Sequence, residues 1–107
     1  MTLRQKQSNF VHMVALLILY AYEKGYDLTF GDAWARECDD HHIKGSFHYD
    51  RLAIDLNLFK DGKYLRDTES HHLLGEYWES IGGSWGGRWG DGNHYSLGEG
   101  NRLYENT

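Results

Sequence analysis

From residue 52 to 58, apolar Leu52, Ile54, Leu56 and Leu58 alternate with Ala53, Asp55 and Asn57. A period of two is that of a β-strand with one apolar face. That face must turn towards a core, so Asp55 is carried to the opposite side, where a polar site can form. Asp61-Gly62 follows and supplies a tight hairpin turn, with Lys63, Tyr64 and Leu65 returning. Any fold for this chain is therefore built around a strand with a core side and a side open to chemistry.

Upstream the period changes. Phe10, Val14, Leu17, Ile18 and Ala21 recur at helical spacing, and Met13, Leu16 and Tyr20 widen the stripe. Thr2 and Gln5 make a capping-box pattern and Gly25 stands where a helix ends, which predicts a helix from about residue 3 to 24. Between residues 26 and 47 a short strand is expected, then a turn at Gly31-Asp32, then loop. A second helix is expected from a cap at Thr68 or Ser70, with Leu74, Tyr77, Trp78 and Ile81 on one stripe and Gly82 as its end. The Gly-rich run from Gly82 to Gly92 carries Trp85 and Trp89. Flexible linkers lack such residues, so an ordered, irregular loop is expected. Asn93 to Leu97 reads as a closing strand. The fold class is α+β: a small antiparallel sheet packed against helices, in one domain over residues 1–107, ending in a polar tail.

Composition narrows the function. With 107 residues, 40% hydrophobic and 15% aromatic, the chain suits one compact, modest core. Thirteen glycines and no proline mean that Gly, Asp and Asn make the turns. The net charge is −5 and no run of Lys or Arg occurs, so no nucleic-acid partner is expected. Cys38 is the single cysteine, which excludes an internal disulfide and a Cys-rich zinc site and leaves a packed or free thiol. The apolar stretch from Val11 to Tyr22 holds His12 and is too short for a bilayer, so no stable membrane insertion is expected. It lacks a basic leader and a small-residue cleavage site. The expected product is a monomer made in the cytoplasm.

Seven histidines invite the question of a metal. A catalytic zinc site takes three protein ligands and keeps one open position. His48 precedes the central strand, Asp55 lies within it, and His94 opens the closing strand. His48 and Asp55 can share an ion only if the chain doubles back near Tyr49-Asp50-Arg51. The spacing leaves metal binding and ordinary polar hydrogen bonding both open.

Two segments carry a resemblance. "SFHYDRLAIDL" (residues 46 to 56) resembles the Ser-x-His-x4-Ala-x-Asp signature of the zinc D-alanyl-D-alanine carboxypeptidase family. That family includes D-alanyl-D-alanine dipeptidases and phage L-alanyl-D-glutamate endopeptidases. "WGGRWGDGNHYSL" (residues 85 to 97) is similar to its Trp-Gly-Gly-x-Trp segment, which ends in an acidic residue three before a histidine. The first helix followed by "GYDLTFGDAWAR" also resembles the short phage members, and the likeness runs from about residue 8 to 97. It implies Zn2+ held by His48, Asp55 and His94, with Asp91 as catalytic acid/base. It implies that Ser46 arranges substrate or ligand and that Arg36 steadies carbonyl or carboxylate charge. The implied activity is hydrolysis of peptidoglycan stem peptides, in the phage-type reading between L-Ala and D-Glu, with a holin-type partner releasing the enzyme to the cell wall. D-Ala-D-Ala carboxypeptidase or dipeptidase action is the enzyme alternative, and a non-catalytic zinc-stabilised wall-binding domain is the alternative from another class. Two departures stand out: Arg51, where many members have Gly, and Ser96, where many have Glu.

The other candidates read as structure. His41 and His42 are expected in an exposed loop, His71 and His72 at solvent or the core edge, and His12 on the helix surface or core edge. Trp78 is expected in the core, and Trp85 and Trp89 are read as wedges fixing their loop.

Overall fold

A computed structural model of the chain describes residues 1–31 and 51–97. Its first element is helix α1, Leu3–Glu23. The Thr2 hydroxyl accepts the Gln5 N–H at 3.1 Å, and the Gln5 side chain accepts the Thr2 N–H at 2.8 Å, closing the capping box. At the other end Gly25 N–H donates to Tyr22 O and Tyr26 N–H donates to Ala21 O. That pair of bonds is a Schellman motif. Phe10, Met13, Val14, Leu17 and Ala21 form the buried face.

The sheet is organised around β2 (Ala53–Lys60). Along one edge it pairs antiparallel with β1 (Asp27–Phe30), Asp27 opposite Phe59 and Phe30 opposite Leu56. Its other edge is shared. β5 (His94–Ser96) takes Ala53 to Asp55, and β3 (Lys63–Leu65) takes Leu58 to Lys60. Asp61 (φ 52°) and Gly62 (φ 78°) form the two-residue turn that joins β2 to β3, a geometry suited to sheet twist. Leu52, Ile54, Leu56 and Leu58 are buried and belong to the core, as their alternation predicts. Asp55, Asn57 and Phe59 take the opposite side of the strand.

Helix α2 (His72–Ser80) lies beyond a 3-10 turn, Glu69–His71. Thr68 stands at the N-cap of that turn, as expected, but its side chain makes no capping bond there. Instead the Asp67 carboxylate accepts the Ser70 N–H at 3.0 Å and the Ser70 hydroxyl at 2.7 Å, and these bonds lower its pKa. Thr68 is occupied elsewhere: its hydroxyl donates to Gly90 O at 3.1 Å. Trp78 on α2 is wholly buried. Its indole N–H lies 3.1 Å from Ser84 O and 3.0 Å from Ser96 O, tying the helix to the sheet, and its ring meets Phe10 and Tyr95 edge to face.

The Gly-rich run is more regular than its composition suggests. It contains β4 (Ser84–Trp85), which pairs with β5, and a 3-10 turn, Gly86–Trp89. Trp85 is buried and its indole N–H donates to Gly92 O at 2.8 Å. A side chain on Gly75 or Gly87 would put its Cβ 2.1 Å from the Trp85 ring, so the ring is seated between two glycines. Arg88 crosses the ring 5.2 Å from its centroid and forms a two-point ion pair with Glu79 on α2. Arg88 thereby lowers the pKa of Glu79.

Candidate active site

Asp55 and His94 face each other directly across β2 and β5. Both side chains are part-buried, 22% and 16% exposed, and Asp55 Oδ1 lies 3.4 Å from His94 Nδ1. A charge-assisted N–H···O bond is usually about 2.7–2.9 Å. Two ligands each about 2.0–2.2 Å from one tetrahedral zinc ion stand about 3.3–3.6 Å apart. The observed spacing falls within that range, and an imidazole nitrogen with a carboxylate oxygen is a donor set that zinc accepts.

The backbone fixes this pair from several sides. Gly31 N–H donates to Asp55 O at 2.8 Å, and Leu56 N–H donates to Asn93 O at 2.9 Å. Asp91 N–H donates to Gly86 O at 2.9 Å, while Asp91 O accepts the His94 N–H at 3.2 Å. One turn thus carries both Asp91 and His94. Gly86 is packed so closely that a Cβ there would lie 2.3 Å from Asp91 O and 2.7 Å from the His94 Cβ. The buried Trp85 fastens the same turn through Gly92.

Asp91 itself is exposed. It borders a polar cleft of about 240 Å³, together with Asn57, Tyr64, Arg66, Thr68 and His71. Among the described residues no group of three His, Cys, Asp or Glu side chains is placed to hold a metal ion. His48, Ser46 and Arg36, the remaining candidate site residues, lie outside the described residues, as do His41, His42 and Cys38.

His71 departs from expectation. It is 1% exposed rather than at solvent or the core edge, with Nδ1 2.8 Å from the Tyr95 hydroxyl. Desolvation pulls its pKa below the ordinary value, despite the nearby Asp67 and a hydrogen bond to the Leu65 backbone. With the ring also hydrogen-bonded to the Leu65 backbone, Nδ1 is the nitrogen left to pair with the Tyr95 hydroxyl, which keeps its proton because burial pushes the Tyr95 pKa far up. The sequence holds a signal for this: His71 stands on the Leu74–Trp78 stripe, three before Leu74.

The two loop tryptophans divide. Trp85 is the structural wedge, whereas Trp89 is 60% exposed with its ring 5.9 Å from that of His94. Arg51 has φ 60°, in the left-handed region. Glycine enters that region without a Cβ penalty, whereas arginine adopts it at a conformational cost. Ser96 is buried, paired with Ala53 and Ser84.

The fold and site define a small α+β domain that presents a carboxylate and an imidazole as cross-strand neighbours, with a second carboxylate on the adjoining turn. The family model described as D-alanyl-D-alanine carboxypeptidase matches residues 43–97, more than half of the chain, and the chain belongs to that family of peptidases. No curated protein matches it. The matched span contains Ser46, His48, Asp55, Asp91 and His94, and leaves Arg36 outside.

Proposed function

We propose that the protein is a zinc peptidase that hydrolyses the stem peptides of peptidoglycan, cutting between L-Ala and D-Glu as a phage-type lysis endopeptidase. The observation that carries this reading is the 3.4 Å approach of Asp55 Oδ1 to His94 Nδ1, beside the turn that bears Asp91. Family membership supports peptidase chemistry, and the donor set supports zinc. Asp55 and His94 would hold the ion, with His48 completing the set.

Zinc bound there would supply a water acidic enough to ionise near pH 7. The protein's own groups do the rest. The Asp91 carboxylate takes the proton of the attacking water and returns it to the leaving amine. Arg36 steadies the charge that builds on the carbonyl oxygen, and Ser46 orders the substrate. Trp89 gives the site an aromatic rim against which a peptide can lie.

No helix among the described residues is long and apolar enough to cross a membrane. We assign synthesis to the cytoplasm, action to the wall, and release to a holin-type partner. The family description favours a second reading, removal of a terminal D-Ala from D-Ala-D-Ala.

The test is incubation of the purified monomer with isolated peptidoglycan, with and without a chelator. New amino groups that vanish on chelation and return with zinc are the expected result. Mass spectrometry of the products separates the two bonds. Bound zinc with no amino groups released would instead indicate a wall-binding domain.

A further inference from the structure

We infer that the polar cleft beside Asp91 receives the leaving-group side of the peptide, and that Arg66 binds a carboxylate carried by the residue that supplies the leaving amine. The inference rests on the peptidase reading and extends it to a substrate contact on β2–β3 and the segment after it.

The direction of the substrate follows from proton transfer. A group that protonates a leaving amine must lie within hydrogen-bond reach of it. The chain beyond the cut therefore departs on the Asp91 side, and the cleft of about 240 Å³ opens there. The recess lined by Phe10, Val11, Val14, Phe30, Arg51 and Ile54 lies on the other side of the sheet, since Ile54 belongs to the core face of β2 while Asp55 takes the opposite one.

The charge of the ligand follows from which wall groups are already engaged. Asn57 Oδ1 accepts the Tyr64 hydroxyl at 3.3 Å, and Asn57 Nδ2 donates to Thr29 at 3.3 Å. Thr68 donates to Gly90 O, and His71 Nδ1 is held by Tyr95. These contacts build the wall. Arg66 is different: it is exposed, lies 5.8 Å over the Tyr64 ring, and enters no ion pair with the described residues. Its guanidinium keeps a planar fork of donors that matches a carboxylate in two-point geometry. Cleavage of L-Ala–D-Glu or of D-Ala–D-Ala alike places a carboxylate on the residue that supplies the leaving amine, D-Glu in one and the terminal D-Ala in the other.

The test uses two synthetic stem peptides that differ only in that group, free carboxylate against carboxamide. The wild-type protein should prefer the acid about tenfold in kcat/KM, mainly through KM, as expected for a hydrogen-bonded charge. Arg66→Gln should narrow the acid-to-amide ratio to about one, and Arg66→Lys should restore part of it. An unchanged ratio in Arg66→Gln overturns the inference. A calorimetric arm needs no turnover: the amine-side product peptide should bind wild type about tenfold tighter than Arg66→Gln. Equal affinities, or no binding to wild type, also overturn it. Failure of the wild type to cut either peptide counts against the peptidase reading, while calorimetry still decides the role of Arg66.

Discussion

Tyr95 and His94 are neighbours on one strand, yet they face two different kinds of environment. Tyr95 turns to the core, where its hydroxyl meets the buried His71 ring at 2.8 Å. His94 turns to the open face, where its ring meets Asp55 at 3.4 Å. One imidazole is closed by a neutral hydroxyl at full hydrogen-bond length and held uncharged by desolvation. The other stands opposite a carboxylate at a separation suited to a shared ion. The lesson is that proximity of a histidine to a polar partner does not define a site; the spacing and the charge of the partner do. Strand alternation creates both environments from adjacent residues.

The sharpest way to break this contrast is on the open face. Asp91→Ala should retain zinc and lower kcat/KM by about 10²–10⁴, the usual range for a lost acid/base. Full activity on stem peptides would remove Asp91 from the mechanism. On the core face, Trp85→Ala should cost about 3–5 kcal/mol in urea unfolding, because the ring fills a slot between glycines and bonds Gly92. Trp89→Ala, at the exposed rim, should change stability by less than about 0.5 kcal/mol and raise KM. Equal destabilisation by the two would erase the distinction between wedge and rim.

Next in size is the buried pair. Tyr95→Phe leaves the His71 nitrogen without its donor and should cost about 1–3 kcal/mol. The pH dependence has a definite sign. The folded-state pKa of His71 is lowered, so the fold favours the neutral ring. Its contribution is complete above the unfolded pKa of about 6.5 and declines as pH falls below that value towards the folded pKa. Unfolding midpoints at pH 7.5 and 5.5 should show lower stability at the acid value, with a smaller difference in His71→Gln. A midpoint rising towards pH 5.5 would contradict the assignment. The smallest effect is expected at Arg88→Ala, about 0.2–1 kcal/mol, since its ion pair with Glu79 is substantially solvent-exposed.

Local pattern makes much of this molecule legible from its amino-acid order. The period of α1, the alternation of β2 and the Asp61-Gly62 turn are short-range signals, and all three elements lie where the pattern puts them. The outward turn of Asp55 follows from the same alternation. Other features depend on distant chain. β4 is two residues long and exists through its pairing with β5, so no periodicity within it can reveal it. Thr68 holds the expected N-cap position before α2, yet its hydroxyl reaches across to Gly90 and the Asp67 carboxylate takes the Ser70 N–H instead. The pairing of Asp55 with His94 is implied by the family resemblance alone, since no spacing rule joins residues so far apart. Trp85 and Trp89 look alike in sequence, and only packing separates them.

The most direct measurement is a crystal structure of the zinc-loaded protein with anomalous scattering recorded at the zinc edge. The expected result is one peak about 2.0–2.2 Å from both an Asp55 carboxylate oxygen and His94 Nδ1, with the Asp91 carboxylate outside the coordination sphere. A zinc peak elsewhere, or Asp55 and His94 directly hydrogen-bonded with no ion between them, would contradict it.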